Sequence, residues 1–469
     1  MFDPGIAPSG SLLGLLQRGR GDGTLYALAA PRAEALEALE SCVVRDPRHD
    51  WRVESRSLYY ARLYTELEGA LDGIERHLFC PDDLLDTCEQ RTGLALSVLG
   101  HLAGYGRRDA RDLLRRYAAT GTNWQWALDE LALRDDDEGL LLLAPAVLDR
   151  FPAGPEGDAA LGRAVREAYE PRPWRLWASV YDRVRKAEEQ ACFDRWQRQM
   201  RSTGPTPGWS VPEVLAWAEA GTAASPREHR DAPAARCLAV VAGPEDRPVL
   251  LRAARSGPET ARAAALRYLA DRADPETFSL IEAAADGPSP RLVQVAAEVF
   301  GRMRSAAAVD RARAWVRRDD ALGAAAARVL ACTGGARDAQ RVLTALRRLV
   351  GRGGADAEGL APLVEGMGRL RVRSAVPLLR HLYRETSSSH LRGQAARALA
   401  VTDPSFPEGL AVECLWDCEE TTRELAARHA TIGDVRVLAR MRSLAADPAE
   451  EAEVQSAVRG RLNSAARRP

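Results

Sequence analysis

The chain has 469 residues, of which 46% are apolar but only 6% aromatic. It carries 65 basic and 66 acidic side chains, a formal charge of −1. That length holds two or three ordinary domains or one long repeat array, and no uninterrupted apolar run reaches the roughly 18 residues of a membrane helix.

Alanine supplies much of the apolar content, which suits closely stacked helices better than a pleated sheet. The eight cysteines, at 42, 80, 88, 192, 237, 332, 414 and 418, form no dense framework and are expected to be reduced. Only one basic residue is lysine, Lys186; the other 64 are arginine. That bias, with the alanine content, points to GC-rich coding, so arginine abundance by itself says little about nucleic acid. The charge is uneven. Residues 1–225 carry 27 basic and 35 acidic side chains, residues 226–469 carry 38 and 31, and 290–400 alone carries 20 arginines against 9 acids.

The opening "MFDPGIAPSGSLLGLLQRGRG" lacks the basic start of a secretory leader, so a soluble cytoplasmic chain is expected. "RHDWRVESRSLYYARLYTELE" (48–68) contains a helix with Leu58, Ala61, Leu63 and Leu67 on its apolar positions, partnered by "LDGIERHLF" (71–79). Two further helix pairs follow, 89–106 with 107–121 and 123–135 with 139–151. "PAGPEGD" (152–158) is a linker, and 173–200 reads as one long helix with Trp177, Tyr181, Val184, Ala191 and Arg195 near one face. "STGPTPGW" is a second break, after which Ser210 is a candidate N-cap for 211–221, with Pro212 in the first turn.

From 232 the pattern becomes regular. First helices at 260–270, 290–303, 319–331, 388–400 and 420–432 alternate with second helices at 275–287, 307–319, 337–352, 374–386 and 434–446. Each first helix places Ala or Leu at three- and four-residue intervals. A less regular helix, 357–370, fills the remaining gap. The step is about 30 residues, and a self-similar period of that size with two helices per unit predicts an α-solenoid, because no unit buries its stripe alone. Strand signals are almost absent.

In "GRLRVRSAVPLLRHLYRE" (368–385), Val376 and Pro377 open the helix after a short join. In "DCEETTRELAARHATI" (417–432), Asp417 stands six residues before Arg423, and Asp50 stands likewise before Arg56. These segments resemble HEAT repeats, nearer the short bacterial class related to phycobilisome-lyase repeats than the usual repeat of about 40–47 residues. The resemblance covers 232–465. It implies an all-α solenoid of stacked antiparallel helix pairs, in which such Asp–Arg pairs tie consecutive repeats together and the second helices line the concave face. The expected organisation is an N-terminal HEAT-like array (1–152), an irregular helical insert (153–231) and a regular C-terminal array (232–469).

Three sets of residues are candidates for binding. Trp51, Tyr59, Tyr60 and Tyr64, with Arg52, Arg56 and Arg62, resemble a stacking platform for bases, but Tyr60 and Tyr64 lie i, i+4, as core neighbours do. The arginines of the second helices, Arg311, Arg313, Arg317, Arg318, Arg341, Arg348, Arg380 and Arg384, form a candidate basic groove for an acidic protein segment or a nucleic acid. "TNWQWALDEL" (122–131) places Trp124 and Trp126 near acids; HEAT-like alkylpurine DNA glycosylases place a Trp and an Asp four residues apart, whereas here Leu128 follows Trp124 and Glu130 follows Trp126 at that interval. The cysteine and histidine spacings suit no structural metal site, and no motif indicates a cofactor or a nucleophile with its base. The expectation is a non-catalytic scaffold or adaptor that binds a protein partner along a curved surface. The alternative is a nucleic-acid binder using the basic groove, with glycosylase-like chemistry at Trp124 and Trp126.

Overall fold

The computed structural model describes residues 5–48, 54–80, 89–200, 208–224 and 229–466, apart from the side chains of 89–91, 194–200, 222–224 and 465–466. Among the described residues the protein is all-helical, without strands, and no helix is long and apolar enough to cross a membrane. The helices form where the sequence caps and amphipathic stripes place them. Ser289, Ser305, Asp320 and Ser388 each accept a backbone N–H at the first turn of a helix in the regular array. One expectation fails locally: 173–200 is two helices, Arg172–Ala178 and Asp182–Met200. The Ser179 hydroxyl donates to the Leu176 carbonyl at 2.6 Å, a local bond that competes with helix continuation.

Packing groups the chain into two compact units. The first contains residues 1–201 and 381–469, the second 202–380.

In the second unit, helix Glu259–Asp271 packs on Pro290–Arg302, which packs on Ala321–Thr333, which packs on Leu360–Arg369. Helix Ala306–Trp315 also packs on Ala321–Thr333, and Ala339–Gly353 on Leu360–Arg369. Small residues set the spacing: a side chain at Gly366 would begin 2.6 Å from the Cβ of Ala331 and 2.8 Å from its Cα. Acids join one helix pair to the next. Asp231 accepts from Arg267 at 2.8 Å and from Arg291 at 2.7 Å, and Asp338 accepts from both Arg313 Nε and Nη2 at 2.9 Å.

The first unit joins the two ends of the sequence. Gly19 ends helix Leu12–Arg18 in the left-handed region, at φ 66°. Any side chain there would collide with Cys418, whose Sγ lies 2.4 Å from the Cβ position, so the site needs glycine on both counts. The Gly19 carbonyl accepts from the Cys418 N–H at 2.9 Å and from Arg392 at 3.3 Å. Around this contact charged side chains leave water in pairs. Arg392 and Asp417 are fully buried and doubly bonded, at 2.8 and 3.0 Å. Arg423 grips Glu450 at 2.9 and 2.7 Å while donating to the Asp417 carbonyl at 2.8 Å. The tie between neighbouring helices thus runs from Arg392 to Asp417, and then through Arg423 to Glu450. Arg62, from the N-terminal part, completes the cluster by donating to Asp447 at 2.9 Å and Glu450 at 3.0 Å.

His101 sits inside this unit, its Nε2 3.2 Å from Ser57 Oγ. Burial, reinforced by Arg134 and Arg62 and opposed by Asp447, pushes its pKa down to about 3. The folded protein therefore keeps the ring neutral where the unfolded chain would protonate it. Its contribution to stability is full above the unfolded value near 6.5 and is lost as pH falls towards the folded value. Replacing His101 with Gln is expected to remove about 2 kcal/mol of the stability difference between pH 6.5 and pH 5, measured by denaturant unfolding of both proteins at each pH. An unchanged pH dependence would show that His101 does not titrate in this way.

Candidate binding surfaces

Among the described residues of the aromatic–arginine stretch near the N-terminus, the tyrosines are core, not surface. Helix Ser57–Glu66 buries Tyr59, Tyr60 and Tyr64. Tyr59 is 5% exposed and donates its hydroxyl to the Arg20 carbonyl at 2.8 Å; Tyr60 donates to the Leu16 carbonyl at 3.2 Å. The expectation of Tyr59 as part of an aromatic surface is corrected accordingly: its ring fills the junction between the N-terminal helices. Arg56 is fully buried and donates to the Ser387 carbonyl at 2.6 Å, while Arg62 is held by the two acids described above. Trp51 and Asp50 lie outside the described residues, and with them the Asp50–Arg56 pairing.

The eight arginines of the candidate groove do not converge. Arg380 and Arg384 lie one turn apart on helix Val376–Glu385. Arg313 is bound by Asp338 and by Asp310 at 2.5 Å. Arg318 is bound by Asp286 at 2.5 Å and Asp320 at 2.6 Å, an arrangement that holds its guanidinium firmly charged. Arg341 lies 3.7 Å from Asp338. Arg311 stands over the Phe278 ring at 5.9 Å, and Arg317 is exposed. Arg348 reaches the Arg318 carbonyl at 3.4 Å.

Arg318 and Arg348 do share a groove in the second unit, a cavity of about 750 Å³ running across helices Pro290–Arg302, Ala321–Thr333 and Ala339–Gly353 to the start of Leu360–Arg369. Its wall is built from small and apolar residues, among them Val293, Ala297, Ala324, Ala345 and Leu349. Four arginines (318, 328, 348 and 352) are matched there by Glu298, Asp319, Asp320 and Glu358, so the lining is charge-balanced. The alanines were not singled out by sequence reasoning, although a signal existed. Gln294 and Ala324, Ala297 and Ala327, and Arg318 and Arg348 all line the groove and stand 30 residues apart, which is the repeat step.

The two tryptophans of helix Trp124–Arg134 part company. Trp124 packs edge-on to Phe151 and Trp174, with ring centroids at 5.8 and 6.3 Å, and the Arg150 guanidinium lies 5.3 Å from its ring. Trp126 donates its indole N–H to Ser97 Oγ at 2.9 Å. Ser97 in turn donates to Glu130 at 2.7 Å, and Glu130 pairs with Arg134 at 2.5 Å. Trp126 and Glu130 therefore lie on one side of the helix, but the carboxylate is engaged. Both line a second cavity, of about 460 Å³, in the first unit. Among the described residues no group of three or more His, Cys, Asp or Glu is placed to hold a metal ion.

No family model matches this chain, and no curated protein does.

Proposed function

We propose that the chain is a non-catalytic, cytoplasmic scaffold or adaptor, built in its regular part as a HEAT-like α-solenoid, that binds a segment of a partner protein in the groove of the second unit. The observation that carries this reading is the groove wall itself. Val293, Ala297, Ala324, Ala345 and Leu349, from three helices, leave apolar surface accessible along it, and the rim offers arginines and acids in equal number. An extended surface assembled from repeats suits a peptide segment with apolar anchors and mixed charge. Nucleic acid would ask instead for unneutralised cations along a stripe. Here Arg313 and Arg318 already hold in-chain carboxylates. The step from fold to role is an analogy, supported by the acid–arginine ties between successive helix pairs.

Ala324 is exposed on the groove wall, so Ala324→Trp fills the groove without entering the core. The variant is expected to keep the wild-type helical content by circular dichroism and to lose the partner that the wild-type chain retains from its native cell extract. Duplex and single-stranded DNA are titrated in parallel at low and moderate salt. Salt-sensitive DNA binding that disappears in the Arg341→Glu, Arg348→Glu double variant would replace the protein-scaffold reading with a nucleic-acid one.

A further inference from the structure

The second cavity lies in the first unit, beside helix Trp124–Arg134 and the segment that leads into Arg172–Ala178. At about 460 Å³ it falls in the size range of small-ligand pockets. Its walls combine two chemistries. Trp126 and the buried Trp174 supply aromatic surface. Asp129, Glu130, Glu167 and Glu170 supply carboxylates, whereas the lining contains no Arg, Lys or His. Glu130 is answered by Arg134 and Ser97. Among the described residues no cation answers Asp129: the bond it receives is from the Glu170 backbone N–H, at 3.0 Å. Two large apolar side chains, Tyr169 at 82% exposure and Leu133 at 58%, stand at this same cavity and remain largely in water.

We propose that this cavity is a binding site for an organic cation on an apolar stem, an alkylammonium or alkylguanidinium group. The carboxylates of Asp129 and Glu170 supply the opposite charge, the aromatic wall favours a weakly hydrated cation over water, and Tyr169 and Leu133 cover the stem. An anion is excluded by the four acids. A neutral apolar ligand would leave the Asp129 charge unanswered in a partly closed space. The same chemistry arrives either as a free small molecule or as an Arg or Lys side chain of a protein, and both present the same group to the cavity.

Binding is also expected to depend on pH. Burial, with Glu170 and Glu130 nearby and opposed by the Glu170 N–H, holds Asp129 up at about 6; Glu130 is likewise raised by burial, against Arg134 and its bonds from Ser97 and Trp126. A cation selects the ionised form, so affinity should rise by about tenfold between pH 5 and pH 7.

The test is calorimetric titration of the full chain with butylguanidinium, butylammonium, butanol and butyrate at pH 7 and pH 5. A short arginine-containing peptide and its citrulline counterpart are titrated alongside. The expected result is binding of the cations and not of butanol or butyrate, weakened at least tenfold by Asp129→Asn, which preserves the acceptor for the Glu170 N–H. Glu213→Gln, on a surface acid of the other unit, should leave it unchanged. A peptide that binds at least tenfold more tightly than free butylguanidinium assigns the site to a protein side chain, and the reverse assigns it to a small molecule. Equal binding of butanol, no cation binding, or an Asp129→Asn variant as good as wild type would each overturn the proposal.

Discussion

Asp417→Ala is expected to destabilise the first unit by about 3–5 kcal/mol, the usual cost of removing one partner of a buried ion pair. Arg392 is fully buried, and its two bonds to Asp417 are its main compensation for lost water. The alanine variant strands that guanidinium beside the Gly19 carbonyl and Cys418. The same carboxylate accepts the Glu419 N–H at 3.0 Å, so the entry into helix Glu420–His429 loosens as well. Denaturant unfolding measures the loss. The double replacement Arg392→Met, Asp417→Leu separates causes. If the single variant fails because a charge is left unpaired, the double variant should recover much of the stability, since apolar pairs of similar volume often replace buried ion pairs without cost. Equal loss in both would mean that the carboxylate's bond from the Glu419 N–H, which both variants lose, and not the stranded charge, dominates.

A loss of similar size, about 3–5 kcal/mol, is expected for Trp177→Ala, the scale for truncating a large buried aromatic. Trp177 is fully buried. It packs edge-on against Trp174, centroids 5.1 Å apart, and donates its indole N–H to the Leu140 carbonyl at 2.8 Å. Truncation empties that volume and leaves the carbonyl without its donor. Trp177→Phe keeps most of the packing and loses the bond, so it should cost clearly less; a phenylalanine variant as unstable as the alanine variant would shift the weight from packing to the hydrogen bond. Because Trp174 also lines the cation cavity, the alanine variant should additionally weaken butylguanidinium binding.

The all-helical class was legible in the sequence. The 30-residue step places the regular helices, and it also separates groove residues such as Ala297 and Ala327. The burial of Tyr60 and Tyr64 was visible in their i, i+4 spacing. The joining of the chain ends was not. Arg62 meets Asp447 across 385 positions, and no local pattern announces so distant a partner. Arginine content misled for a related reason. Sequence counts charges but not the carboxylates that fold beside them, and the excess over 290–400 dissolves, at the groove, into balance with Glu298, Asp319, Asp320 and Glu358. The cation cavity lay half in view. Asp129 and Glu130 are adjacent in sequence, but Glu170 and Trp174 reach them only through the turn after helix Pro155–Glu167.

The scaffold reading stands or falls on what occupies the groove of the second unit. A photo-crosslinking residue at position 294, exposed on the groove wall, asks the question directly in the native cell. The account predicts a covalent adduct with a discrete protein segment, abolished when Ala324→Trp fills the groove. Adducts with nucleic acid alone, or a protein adduct unchanged by Ala324→Trp, would contradict it.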